Sequence, residues 1–282
     1  MKFIQVGPAG CERPVLVAEN GRAYDLRPLT SAVDGPFLES DGIERARTVF
    51  ADGLLPEIDI VDERIGAPIA RPGKIVCIGL NYRDHAAETG AEVPTRPVVF
   101  LKAPYTVVGP EDEVLVPRGS TKTDYEVELA VIVGKHARYL GSPTDAVEVI
   151  AGYAVSHDVS EREFQLEFSA QWDLGKSCET FNPLGPWMVP ADGVDPAELV
   201  LWLSVNGEER QRSSTQKMIF DPAYLVWYLS QYMMLEPGDL INTGTPAGVA
   251  LGRTGTPHLR AGDVVELGIR GLGTQRQKVG QA

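Results

Sequence analysis

The chain is poor in positive charge, in cysteine, in histidine and in long apolar runs. Its 26 Lys and Arg stand against 39 Asp and Glu, a formal charge of −13 over 282 residues. Such a surface repels phosphate backbones, so nucleic acid is not an expected partner. A small anion still fits wherever a metal ion or a local Lys/Arg cluster inverts the field. Three cysteines (Cys11, Cys77, Cys178) are too few and too scattered for a disulfide framework or a zinc site. Cys77, in "KIVCIGL", reads as a small core residue. No stretch approaches the ~18 unbroken apolar residues of a membrane span, so no membrane partner is expected. "MKFIQVGPAG" holds no apolar segment long enough for a signal peptide, which makes the cytoplasm the expected location. GxGxxG and regular βαβ alternation are both missing, which argues against a dinucleotide fold. His136, His157 and His258 lie in no metal-ligand spacing.

What is present is mostly strand. "RPVLVAENGRAYDL" predicts a hairpin with Asn20-Gly21 at its tip. Residues 30–50 are polar and partly helical. Pro68, Pro72 and Gly73 then punctuate the chain, and a boundary is expected near residue 66. Beyond it, "RPVVFLKAP", "DEVLVP", "YEVELAVIVGK", "VIAGYAVSHDVS", "LVLWLSVNGEE", "DLINTG" and "DVVELGIRG" read as strands. "DPAYLVWYLSQYMML" reads as the clearest long helix, with Asp221 as N-cap and Pro222 at its first position. Leu225, Tyr228, Leu229 and Tyr232 form its packing stripe, and Met233 and Met234 read as core filler.

In "TDYEVELAV", Asp124, Glu126 and Glu128 recur at the strand period and leave one face. Alone, that pattern describes a half-exposed strand with a solvated acidic side. Yet Glu126 and Glu128 have Cβ atoms roughly 7 Å apart, and both can reach one hard cation with Mg–O bonds of about 2.1 Å. Asp158, where "GYAVSHDVS" leaves its strand, is a third ligand or a turn former, and on spacing alone Asp124 competes for the metal. In "GLNYRDHAAETG", His85 and Glu88 are i and i+3 and face each other on a helical turn; a carboxylate holding an imidazole makes a general base. Lys176, in "QWDLGKSCETFNPLGP", either snorkels past aromatics or stabilises developing negative charge beside a metal. "NTGTPAGVALG" is a Gly/Thr loop whose N–H groups and hydroxyls can grip a carboxylate.

In this order the motifs "IGLNYRDHAAE", "RPVVFLKAP", "DYEVELAVIVGK", "GYAVSHDVS", "QWDLGKSCETFNPLGP" and "PGDLINTGTPAGV" closely resemble the fumarylacetoacetate hydrolase family. The resemblance covers roughly residues 70 to 280 and is strongest to acylpyruvate and 2,4-diketo-3-deoxy-sugar-acid (L-rhamnonate) hydrolases. It implies an α+β, mostly β fold: a mixed β-roll over 66–282 behind a small N-terminal α/β domain over 1–65, packed as a homodimer. It implies one Mg²⁺ or Mn²⁺ per subunit on Glu126, Glu128 and Asp158, with Asp124 nearby. It implies a catalytic His85–Glu88 dyad on a lid, a catalytic Lys176, and substrate contacts from Arg162, Gln165, Thr245 and Lys102. Glu161, Glu163, His157 and Leu80 depart from the family pattern at the expected substrate rim. The implied reaction is metal-dependent hydrolysis of a 2,4-diketo acid to pyruvate and a carboxylic acid. The alternatives are oxaloacetate decarboxylation through the same pyruvate enolate and, from another class, a non-catalytic metal or small-molecule binding protein.

Overall fold

A computed structural model describes residues 1–282 apart from 91, 169, 252, 254 and 256. Arg13–Val17 and Ala23–Asp25 pair antiparallel, and Gly21 at the hairpin tip takes φ +83°, a left-handed value that glycine accepts without cost to a Cβ. Lys2–Val6 pairs with Arg13–Val17 on one side. On the other, Phe3 lies opposite Met188 of the Asn182–Pro190 strand. One mixed sheet therefore runs through Glu57–Ile58, Ala23–Asp25, Arg13–Val17, Lys2–Val6, Asn182–Pro190, Ile150–His157, Val127–Val133, Leu240–Asn242, Ile75–Gly79 and Val98–Lys102. Phe3, Leu16, Leu26 and Phe37 share a buried cluster with Ile75, Cys77, Ala130 and Leu240. The segment up to residue 65 thus shares both sheet and core with the remainder of the chain. Its polar stretch forms the helices Gly35–Glu39 and Gly42–Ala51.

A second, five-stranded sheet, Glu208–Ser214, Val200–Val205, Val264–Ile269, Gly273–Gln281 and Val114–Val116, covers the other face. Val127, Leu129, Val131 and Val133 meet Leu201, Leu203, Val265 and Leu267 there, and Leu225 and Leu229 join them. Each such buried aliphatic contributes roughly 1.5–3 kcal/mol. The odd-numbered residues of Val127–Val133 thus point into one core. Ala130 and Ile132 point into the other, and Glu126 and Glu128 continue that even-numbered face to the start of the strand.

Three expectations are corrected. The acidic strand is not half exposed: residues 123–133 are buried on both faces. The Asn182–Pro190 strand was not among the expected strands, because Pro183, Pro186 and Pro190 supply no ladder donor and proline disfavours central strands. It lies inside the sheet all the same, and the Gln275 side-chain amide donates to Gly185 O at 3.0 Å. The helix spans only Pro222–Ser230, capped as expected by Asp221, whose carboxylate accepts from Tyr224 N at 2.8 Å. Leu225 and Leu229 are buried, but Tyr232 and Met234 lie beyond the helix end and are exposed, while Met233 packs on the core. Among the described residues no helix is long and apolar enough to cross a membrane.

Candidate active site

Sheet register assembles the acids. Val127 pairs with His157 in the antiparallel ladder, and Asp124 pairs with Ser160 in the short ladder of Thr123–Asp124 and Ser160–Glu161. Both follow one register, which brings Glu126 alongside Asp158 where the ladder is interrupted. There Asp158 N donates to Glu126 O at 3.0 Å. Ligand oxygens of Glu126, Glu128 and Asp158 all fall within 4.8 Å of one another, and all three residues are buried.

Three buried cations surround four buried carboxylates. Lys176 Nζ donates to Glu126 Oε2 (2.8 Å) and Asp158 Oδ2 (3.0 Å), and lies 4.9 Å above the Phe100 ring. Arg162 donates from Nε to Asp124 Oδ2 (2.9 Å), from Nη2 to Glu126 Oε1 (2.6 Å) and from Nη1 to Gln165 Oε1 (2.9 Å). Lys102 Nζ donates to Asp158 Oδ1 and to Val159 O. Burial alone would push the Glu126 carboxyl up, but the Lys176 and Arg162 charges outweigh it and hold the carboxyl down to about 2. Burial also opposes the Lys176 charge, and Asp158 and Glu126 outweigh it, so the lysine stays cationic. Glu128 differs. Among the described residues no cation bonds it, its partner being Gly244 N at 2.8 Å. Burial, then Asp158, then Glu126 push its carboxyl well above the usual range. An all-oxygen, buried, net-negative trio with one uncompensated member suits a hard divalent cation.

His85 sits on the helix Arg83–Thr89, with Nδ1 3.5 Å from Glu88 Oε2. The loop after Leu240–Asn242 ties this helix to the trio. Its amides do grip carboxylates, and the carboxylates are the chain's own. Gly244 N reaches Glu128, Gly248 N reaches both Glu88 oxygens (3.1 and 2.9 Å), and Ala250 N and Leu251 N reach Asp124 (2.8 and 3.0 Å). Gly248 must be glycine: at φ +115° a Cβ would stand 2.1 Å from Arg210 O. Asp84 adds a second tether through Ser213 Oγ (2.7 Å) and Lys217 Nζ (3.0 Å).

A pocket of about 230 Å³ gathers Glu126, Glu128, His85, Lys176, Arg162, Gln165 and Thr245. Thr245 is anchored through its hydroxyl to Val127 O (3.0 Å). Lys102 does not line the pocket; it lies behind Asp158. A larger cavity of about 960 Å³, around residues 31–36 and 69–73, contains none of the trio. We assign the chemistry to the smaller one because the buried charges converge there. Sequence reasoning missed Phe100 and Trp172, whose rings wall this pocket at 5.4 Å between centroids. A Cβ on Gly79 would meet the Trp172 ring at 2.6 Å, so the glycine inside "CIGLNY" was a signal that a bulky group packs against the backbone. Glu161, one of the unusual rim residues, is turned away and accepts from the Ser120 and Thr123 hydroxyls. His157 is buried and bonds Gln277 (3.0 Å).

A pocket walled by aromatics, with Glu126, Glu128 and His85 on its wall and Asp158 and Glu88 just behind them, has the character of a small-molecule enzyme site. The chain belongs to the fumarylacetoacetate hydrolase family: residues 74–280 match the fumarylacetoacetate (FAA) hydrolase C-terminal domain. It is 46% identical over 284 residues, covering 100% of both chains, to a Burkholderia ambifaria protein named only as a candidate hydrolase. The fumarylacetoacetate hydrolase of the psychrophile Exiguobacterium antarcticum superposes with TM-score 0.85 at 34% identity, covering 100% of both chains. Maleylpyruvate hydrolase from Sphingobium sp. SYK-6, solved with manganese(II) and pyruvate, superposes with TM-score 0.81 at 28% identity, again over 100% of both.

Proposed function

We propose that the protein hydrolyses the C3–C4 bond of a 2,4-diketo acid, releasing pyruvate and a carboxylic acid. The observation that carries this reading is the convergence of Glu126, Glu128, Lys176 and His85 on one pocket, with Asp158 completing the acid trio behind them and Glu88 beside His85. The manganese and pyruvate held by the Sphingobium relative support it. Glu126, Glu128 and Asp158 would hold Mg²⁺ or Mn²⁺, which supplies Lewis-acid stabilisation of negative charge on a keto acid.

The chain's own residues do the rest. His85, oriented by Glu88, takes a proton from water, and the water oxygen bonds to C4 as the C4=O π pair moves onto its oxygen; that pair re-forms the carbonyl of the released acid when the C3–C4 bond breaks. The C3–C4 bond breaks with its electron pair moving to C3 as the pyruvate enolate. Lys176, cationic and aimed into the pocket, stabilises that charge. The proton held on His85 then returns to C3, completing pyruvate. The test is pyruvate release from acetylpyruvate and from oxaloacetate with Mg²⁺ or Mn²⁺ saturating. Hydrolysis of acetylpyruvate is expected, with His85→Ala losing ~10²–10⁴-fold of it. Pyruvate from oxaloacetate alone would replace this reading by decarboxylation.

A further inference from the structure

The charged groups lining the pocket are all at one end of it. Among the described residues its only lining cations are Lys176 and Arg162, and both are bonded to the acids at its base. Arg253, on the loop after Leu251, stands 3.9 Å from Glu88 and is not among the pocket's described lining residues. The rest of the wall is chiefly hydrocarbon and aromatic: Ile78, Leu80, Phe100, Leu166, Trp172 and Leu251. Leu166 and Leu251 are 44% and 46% exposed, apolar side chains left at the surface beside a pocket. A second carboxylate on the substrate would lose part of its hydration against Ile78, Phe100 and Trp172 and meet no counter-charge among the described lining residues, which disfavours it. A hydrocarbon tail would gain from the same burial. At about 230 Å³ the space is also smaller than the ~300–1,000 Å³ sites of drug-sized ligands.

We propose that, beyond its keto-acid head, the substrate is a short uncharged hydrocarbon group, and that Leu166 and Leu251 help to reject substrates bearing a second carboxylate. This rests on reading the pocket as a keto-acid site. The test is calorimetric binding, with Mn²⁺ present, of three uncleavable 2-oxo acids: pyruvate, 2-oxohexanoate and the chain-matched diacid 2-oxoadipate. Wild type should bind 2-oxohexanoate at least ~10-fold more tightly than 2-oxoadipate. Leu166→Lys, at a position exposed enough to accept lysine without disturbing the core, should close that gap by supplying the missing cation. Equal or tighter binding of 2-oxoadipate by wild type overturns the proposal, as does binding of pyruvate without 2-oxohexanoate. If none of the three binds, the keto-acid reading itself fails and takes this inference with it.

Discussion

Charge is handled in opposite ways at the N-terminal end of the large sheet and in its interior. In the N-terminal segment, acids and arginines pair where water reaches them. Arg22 meets Glu57 at 3.1 Å with side chains 61% and 52% exposed, and Arg64 is shared by Glu12 and Asp112. Around Glu126 the same residue types are buried and carboxylates outnumber cations. Wet pairs of opposite sign cost little and contribute little. A buried cluster with an unmatched acid is costly to the fold and persists where it serves chemistry. The difference separates architecture from site without reference to any relative.

Removing the cation from the buried cluster should have the largest effect on stability. Arg162→Met leaves Asp124 and Glu126 buried without that partner, and denaturant melts should show a loss of about 3–5 kcal/mol. Glu128→Gln should act in the opposite sense on the metal-free protein. It replaces an uncompensated acid by a neutral isostere, so stability without metal should rise by about 1–3 kcal/mol, while calorimetry shows Mn²⁺ binding lost. A fall in metal-free stability would show that Glu128 is not the unmatched member. At the wet end, Glu57→Ala should cost only about 0.2–1 kcal/mol in the same melts; a cost near that of Arg162→Met would erase the contrast. The smallest effect is a pH dependence. The Arg27 hydrogen bond holds the Asp25 carboxyl below its ordinary range. Its contribution is therefore full above about pH 4 and is lost as pH falls through the lower folded value. Asp25→Asn should flatten stability against pH slightly in that acid window and nowhere else.

Much of this was legible in the sequence, for physical reasons. Period two placed Glu126 and Glu128 on one face, helical spacing placed His85 against Glu88, and turn chemistry placed the Asn20-Gly21 hairpin. What escaped was long range. Alternation gives the faces of a strand but not what packs against the polar one, so the burial of the acids was invisible. The pairing of Phe3 with Met188 runs through a proline-bearing strand that local propensity demotes. Lys102 matched a motif, yet only the fold shows that it sits behind Asp158 rather than on the pocket wall. The Gly/Thr loop was legible as one that grips a carboxylate, but that its targets are the chain's own Glu88, Asp124 and Glu128 only the fold shows.

That loop also sets the tolerances of the whole apparatus. The acid trio lies on and between strands and the proposed base on a helix, and Glu128, Asp124 and Glu88 are all located against the amides of residues 244–251, as parts on a bench are aligned to a single reference edge. Wear at the edge's surface changes little, so exchanging a side chain such as Ala247 should be forgiven. Shifting the edge itself is another matter: inserting one residue between Gly244 and Gly248 would move the base relative to the trio by about a residue's length of ~3.3 Å, with every catalytic side chain still present and none of them in register.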